Sequence, residues 1–305
     1  MNDITFAEVI RGIRRAKGMT QEEVAEGICS VSSLSKLENG SQVPSRQKFQ
    51  ELMERLGETG YSYAHFFSGR EAERQRQRKE LIRALEFGRS EQAEEILWKA
   101  RKTYTQQDRS ERQFWKMGEL LWRQLNTQTY EDYAQRCIEV FLMTRTWPDW
   151  RNRTPAQRFT RVELLLLNNA GLGYFWQGRF GEALQIYLRL YGMLEHDQDK
   201  LPDYKRKKAV ICGNMSACFA GLGQMQEAWR YYERGIRCIR EQGGVLLYLQ
   251  LLRIRLDLCR RQKEMDDLYQ GQILLYKILA DLWGRAEAQE RMSQLLQQPL
   301  GIPIL

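Results

Sequence analysis

MTQEEVAEGICSVSSLSKLENGSQVP, residues Met19 to Pro44, reads as two short helices joined by a tight turn. Thr20 and Glu23 have the spacing of a capping box, in which each residue satisfies an amide that the first turn of a helix leaves without a partner, so a helix begins at Gln21. Val24, Ala25 and Ile28 give that helix an inward stripe at helical spacing. A second helix opens at Ser30 and turns Leu34 and Leu37 to the same core. Its outward side falls to Ser32, Ser33, Ser35 and Lys36, short polar and basic side chains that suit base edges in a major groove.

Outward from this stretch the pattern stays helical. Thr5 and Glu8 repeat the capping-box spacing and start a helix over Phe6 to Lys17 that Gly18 ends. Pro44 and Ser45 open another, with Phe49, Leu52, Met53 and Leu56 at core spacing until Gly57 stops it. A short helix over Tyr63 to Phe67 would close a small bundle. Arg11, Arg14, Arg15 and Lys17 cluster at the end of the first helix, and Arg46 and Lys48 open the fourth, so phosphate-attracting patches exist locally. Yet residues 1–70 hold nine Lys plus Arg against nine Asp plus Glu, and the net charge of +8 therefore lies downstream.

TQEEVA followed by SxxSLSKLENG and PS resembles the helix-turn-helix of phage repressors. The GICS variant before the second helix is similar to that of the Gram-positive peptide-pheromone regulators that include Rgg, PlcR and PrgX. That resemblance implies that Gln21 and Asn39 hold phosphates while Val31, Ser32 and Lys36 face bases. Ser33, Arg15 and Arg46 complete the DNA-facing set read from the outward face and the basic patches.

Residues 70–83, dense in Arg, Glu and Gln, are expected to form a solvated helical linker, the alternative being a basic arm that contacts DNA. Beyond it the sequence repeats. NNAGLGYFWQGRFGEALQIYL, Asn168 to Leu188, resembles a tetratricopeptide repeat, with Gly171, Tyr174, Gly178, Phe180, Ala183 and Tyr187 at its offsets. A second copy places Ser216, Phe219, Gly223, Met225, Ala228 and Tyr232 at the same positions. Small residues there let two helices approach, and the aromatics fill the space between hairpins. Aligning weaker segments on the alanine position gives Ala93, Tyr133, Ala183, Ala228 and Leu268, hence five hairpins, with insertions at Arg145 to Pro155 and His196 to Tyr204. Asp281 to Gln298 is expected to cap the array as a last helix, followed by an apolar tail.

The expected fold is thus all-α: a helix-turn-helix domain over 1–69, the linker over 70–83, a tetratricopeptide-like right-handed helical solenoid over 84–298, and the tail over 299–305. In such a solenoid the first helix of each hairpin lines a concave face suited to an extended peptide. Asn168, Asn169 and Asn214 present amides that can both donate and accept, although asparagine there also bonds within repeats. Leu172, Phe175 and Trp176 can wall apolar pockets or pack in the core, and the same alternative holds for Trp122. Arg253 can take a carboxylate or remain a surface charge. The tail, PLGIPIL, has the composition of an apolar peptide and can occupy the groove, pack on the final helix or stay free.

No P-loop, HExxH, GxSxG, dinucleotide fingerprint or metal-spaced cysteine pair occurs, and the two histidines stand apart, so neither an enzyme nor a metal or cofactor is expected. The longest apolar runs fall well short of the roughly 20 residues that cross a bilayer. With no signal-peptide pattern, the six cysteines are expected as reduced, mostly buried thiols in a cytoplasmic protein. The family resemblance implies a homodimer that binds double-stranded DNA and is controlled by a short apolar signalling peptide, as in quorum sensing. Two other readings share the first domain: a phage-type or toxin-antitoxin-like repressor, or a scaffold, whose repeats bind a protein partner.

Overall fold

A computed structural model describes residues 6–58, 69–86, 88–104, 109–127, 131–144, 159–196, 204–240, 245–283, 288–289, 292–293 and 296. Fourteen α-helices and no strand occur among the described residues. The chain divides into two compact units: Met1–Ala170 with Glu195–Pro202 and Leu305, and Gly171–Leu194 with Asp203–Ile304.

The first unit opens with α1 (Phe6–Ala16), α2 (Gln21–Ala25), α3 (Val31–Glu38) and α4 (Arg46–Leu56). Their boundaries follow local chemistry. Thr20 and Glu23 form both halves of the capping box, Ser30 and Ser45 cap α3 and α4 through their hydroxyls, and Gly57 ends α4 at φ 74°. The inward stripes expected for α2 to α4 meet in one core, Val24, Ala25, Ile28, Leu34, Leu37, Phe49, Leu52, Met53 and Leu56; from α1 it is Ile10 that is buried with them, while Val9 and Ile13, expected inward, pack against it only partly buried. Phe6 adds an edge-on contact with Phe49 at 4.9 Å. The expected helix over Tyr63 to Phe67 lies outside the described residues.

Four more helices belong to this unit, α5 (Gly69–Glu86), α6 (Ser90–Tyr104), α7 (Arg109–Thr127) and α8 (Tyr133–Leu142). The expected linker, residues 70–83, lies within α5, which runs without a break into the first helix of the first hairpin. Leu81, Ala84 and Leu85 are buried. A Cβ at Gly118 would meet Leu81 Cδ2 at 2.7 Å, so α5 and α7 approach closely. Even the charged part is anchored: Arg78 lies 3.8 Å over the Phe114 ring and donates to Glu111 at 2.9 Å.

The division between units falls inside α9 (Arg161–Trp176). The second unit continues with α10 (Phe180–His196) as far as Leu194, then α11 (Tyr204–Gly221), α12 (Met225–Arg240), α13 (Val245–Gln262) and α14 (Met265–Trp283). Gly171 is required by packing, since a Cβ would lie 2.5 Å from Tyr187 Cζ. The repeat register shows in its turns. Gly88, Gly178 and Gly223 have φ of 65°, 74° and 76°, each five residues before Ala93, Ala183 and Ala228, and Lys263 takes φ 62° five before Leu268. In all four turns this residue and the next donate to the carbonyls three and five residues back, a Schellman arrangement.

The expected last helix over Asp281 to Gln298 is corrected at its start. No breaker follows Leu275 and Leu279, so their buried stripe carries α14 through Asp281 and Leu282 to Trp283. Ala288 is buried on the same core and Leu296 packs beside it. The two insertions lie largely, and the tail wholly, outside the described residues.

Candidate nucleic-acid interface and ligand face

The centre of the helix-turn-helix is a buried carboxylate. Glu38, 2% exposed at the end of α3, accepts from Arg14 Nε at 2.6 Å and Arg14 Nη2 at 2.8 Å, and from Gln21 Nε2 at 2.8 Å. Arg14 also donates to the Met19 carbonyl at 2.9 Å. One carboxylate thus ties the ends of α1 and α3 to the start of α2. Burial pushes the Glu38 carboxyl up, but hydrogen bonds from Arg14 and Gln21 and the charges of Arg14 and Arg15 outweigh it and hold the group below the usual carboxylate range. Sequence reading missed Glu38. The signal was its position four residues after Leu34, on the inward stripe.

This clamp sorts the basic cluster of α1. Arg14 is committed to Glu38, and Lys17 to the Leu56 carbonyl and Glu58, so both serve the fold. Arg15 is exposed. Gln21 keeps its second amide N–H for another acceptor after donating to Glu38, which fixes the side chain at the start of α2. On α3, Val31 is 37% exposed, and Ser32, Lys36 and Asn39 beyond the helix end are exposed. Ser33 is half-buried, with its amide bound to the capping Ser30 hydroxyl at 3.1 Å. Ser30 and Ser32 hydroxyls lie 3.0 Å apart, orienting one base-facing candidate. Arg46 opens α4, and its side chain is outside what is described.

The expected ligand-facing residues divide between the units. In the first, Asn169 is 3% exposed; its Oδ1 accepts from the Tyr133 hydroxyl at 2.9 Å and its Nδ2 donates to the Leu165 carbonyl at 2.8 Å. Asn168 is fully buried. Trp122 is half-buried and its indole N–H donates to Ser90. A cleft between α7 and α8 is lined by Lys116, Arg123 and Arg136 against Glu119, Glu131 and Asp132, with Leu120, Tyr133 and Val140 among them.

In the second unit Leu172 is buried, while Phe175 and Trp176 are half-buried, Phe175 edge-on to Phe180 at 5.3 Å. Asn214 is 2% exposed. Arg253, 4% exposed, donates to Gln250 Oε1 at 2.8 Å, and burial pulls its guanidinium down to about 10, still cationic at neutral pH. None of the six cysteines forms a disulfide; burial raises the Cys137 and Cys218 thiols and leaves them poor nucleophiles. Among the described residues no group of three His, Cys, Asp or Glu has metal-binding placement, and no helix is long and apolar enough to cross a membrane.

Residues 10–61 match the helix-turn-helix family model, so the chain carries a domain of that kind. No curated protein matches the chain. In fold it is similar to PlcR of Bacillus thuringiensis in complex with the peptide PapR7 and DNA, with a TM-score of 0.59 at 16% identity over 96% of this chain and 99% of that one. PlcR in its apo form gives a TM-score of 0.55 at 16% identity over 95% of this chain and 98% of that one. At such identity the likeness is one of fold.

Proposed function

We propose that the chain is a cytoplasmic transcription regulator, without catalytic activity, that binds double-stranded DNA as a homodimer and is controlled by a short apolar signalling peptide held by its repeats. The observation that carries the DNA part is the clamp at Glu38. It consumes Arg14 and fixes Gln21, leaving Val31, Ser32 and Lys36 exposed along α3. Phosphates would be held by Gln21, Asn39, Arg15 and Arg46, with Ser33 at the helix edge, while Val31, Ser32 and Lys36 read bases. A helix N-terminus entering a major groove presents its first residues in this way.

The peptide part is supported by the fold it shares with PlcR, whose structure was solved with PapR7 and DNA. Among the proposed contacts, Arg253 would take a carboxylate, because a guanidinium presents several N–H donors in the planar geometry that a carboxylate accepts. Leu172, Phe175 and Trp176 would meet apolar side chains. Asn214 in the second unit, and Asn168, Asn169 and Trp122 in the first, are the remaining proposed contacts, the last two held in place by their hydrogen bonds. A peptide controls the dimer only through unequal affinity for its two arrangements.

DNA selected from a random pool tests the first part. Ser32→Ala and Lys36→Ala should each weaken binding to the selected duplex by about 1–3 kcal/mol, the discrimination that one side chain reading a base edge supplies. Equal binding by the double variant would refute the reading. Calorimetry with five- to eight-residue apolar peptides tests the second; heat from a protein partner and none from any peptide would favour a repeat region that binds proteins.

A further inference from the structure

The helix-turn-helix bundle is held by more than its own core. Arg55, on α4, is 2% exposed and faces Glu163 in the first turn of α9, 1% exposed, with Nη2 to Oε2 at 3.4 Å. Arg55 Nη1 also donates to the Glu23 carbonyl at 3.3 Å, at the helix before the turn. Glu163 is itself fixed: the Thr160 amide donates to Oε2 at 2.8 Å and the Thr144 hydroxyl donates to Oε1 at 3.2 Å. Gln113 on α7 donates to the Thr144 hydroxyl at 2.9 Å and to the Phe141 carbonyl at 3.0 Å. On the other side Gly27, in the turn of the motif at φ 73°, is so close that a Cβ would overlap the Thr144 carbonyl. All of these residues lie in the first unit.

We infer that Glu163 is a positioning residue for the DNA reader: with Thr144 and Gln113 it forms a buried dock that seats Arg55 and the Gly27 turn and so sets the direction of α3. The inference rests on the DNA-binding reading. Its physical basis is the choice of an ion pair. Buried pairs often stabilise a fold no better than apolar side chains of the same size, whereas displacing one partner leaves a buried charge without compensation at high cost. The guanidinium, the carboxylate and its two donors tolerate little sliding. The dock therefore has two states, closed, or open with both charges hydrated, and not a continuum. Docking orients the reader without hiding it, because Ser32 and Lys36 remain exposed with the dock closed.

Amide hydrogen exchange of the full-length chain without DNA tests this. In Glu163→Gln, residues 24–30 and 140–144 and the amides of 160–164 should exchange at least tenfold faster. Bundle-core amides away from the dock, namely Leu34, Leu52 and Met53, should keep their rates. Thr144→Val removes the hydroxyl without stranding a charge and should give a smaller rise in the same residues. No change in either variant, or an equal rise in core and dock, would overturn the inference. Ser32→Ala and Lys36→Ala leave these rates alone while testing DNA contact, so the two readings fail separately.

Discussion

At the scale of single residues, Glu38 decides whether the bundle presents a reading face. Its carboxyl is held below the usual range, so the stability it contributes is complete above the unfolded glutamate value near pH 4.3 and is lost as pH falls through the lower folded value. Exchange of the Leu34 and Leu37 amides, followed from pH 6 to pH 3 after correction for intrinsic rates, should show protection falling in that acid window. Glu38→Gln keeps the shape but loses the charge-assisted bonds from Arg14, at a cost of roughly 1.5–3 kcal/mol. That variant should lose protection at neutral pH and show a flatter acid dependence. An unchanged acid slope would mean that another carboxylate controls the bundle. Glu38 was recognisable as inward-facing from its spacing to Leu34, but its partner Arg14 stands 24 residues away, and periodicity carries no information about that pairing.

At the scale of elements, local chemistry was readable and long-range packing was not. The capping box at Thr20 and Glu23, the hydroxyl caps at Ser30 and Ser45 and the stripes through Leu34 and Leu56 involve near neighbours, and each appears where spacing placed it. Residues 70–83 looked solvated because Arg, Glu and Gln dominate them, although Arg78 is held by Phe114 and Glu111 from another helix. The repeat turns show the same limit: Gly178 and Gly223 announce theirs, whereas Lys263 adopts the left-handed conformation with a side chain that disfavours it. Left-handed geometry costs an L-residue roughly 1–2 kcal/mol, and glycine gives back about half by loosening the unfolded chain. Lys263→Gly should therefore stabilise the second unit by about 0.5–1 kcal/mol in urea unfolding. Gly171→Ala should act in the opposite sense, by roughly 1–3 kcal/mol, because its methyl would enter the Tyr187 ring. Tolerance of that methyl would show that α9 and α10 can separate.

At the scale of the molecule, the distribution of charge bears on how many copies bind. Residues 1–70 have no net charge, and with Arg14 and Lys17 taken into the fold the cations left for DNA are few: Arg15, Lys36 and Arg46 among the proposed contacts. Each phosphate neutralised contributes about −0.9 to the slope of log affinity against log salt, and Arg15 and Arg46 are the cations proposed for phosphates, so one bundle should show a slope of about −2 and a pair about −4. A single bundle with so shallow an electrostatic contribution binds modestly. Joining two by dimerisation makes the second contact intramolecular, at an effective concentration of order millimolar. Anisotropy titrations at several salt concentrations should thus give affinity for a duplex with two half-sites at least 100-fold above that for one. The two-site slope should be near twice the one-site slope. Equal affinity for the two duplexes would remove the dimer from the mechanism and with it the lever by which a peptide could act on spacing. A steep slope on a single half-site would instead mean that basic residues outside the bundle, where the excess charge lies, also touch DNA.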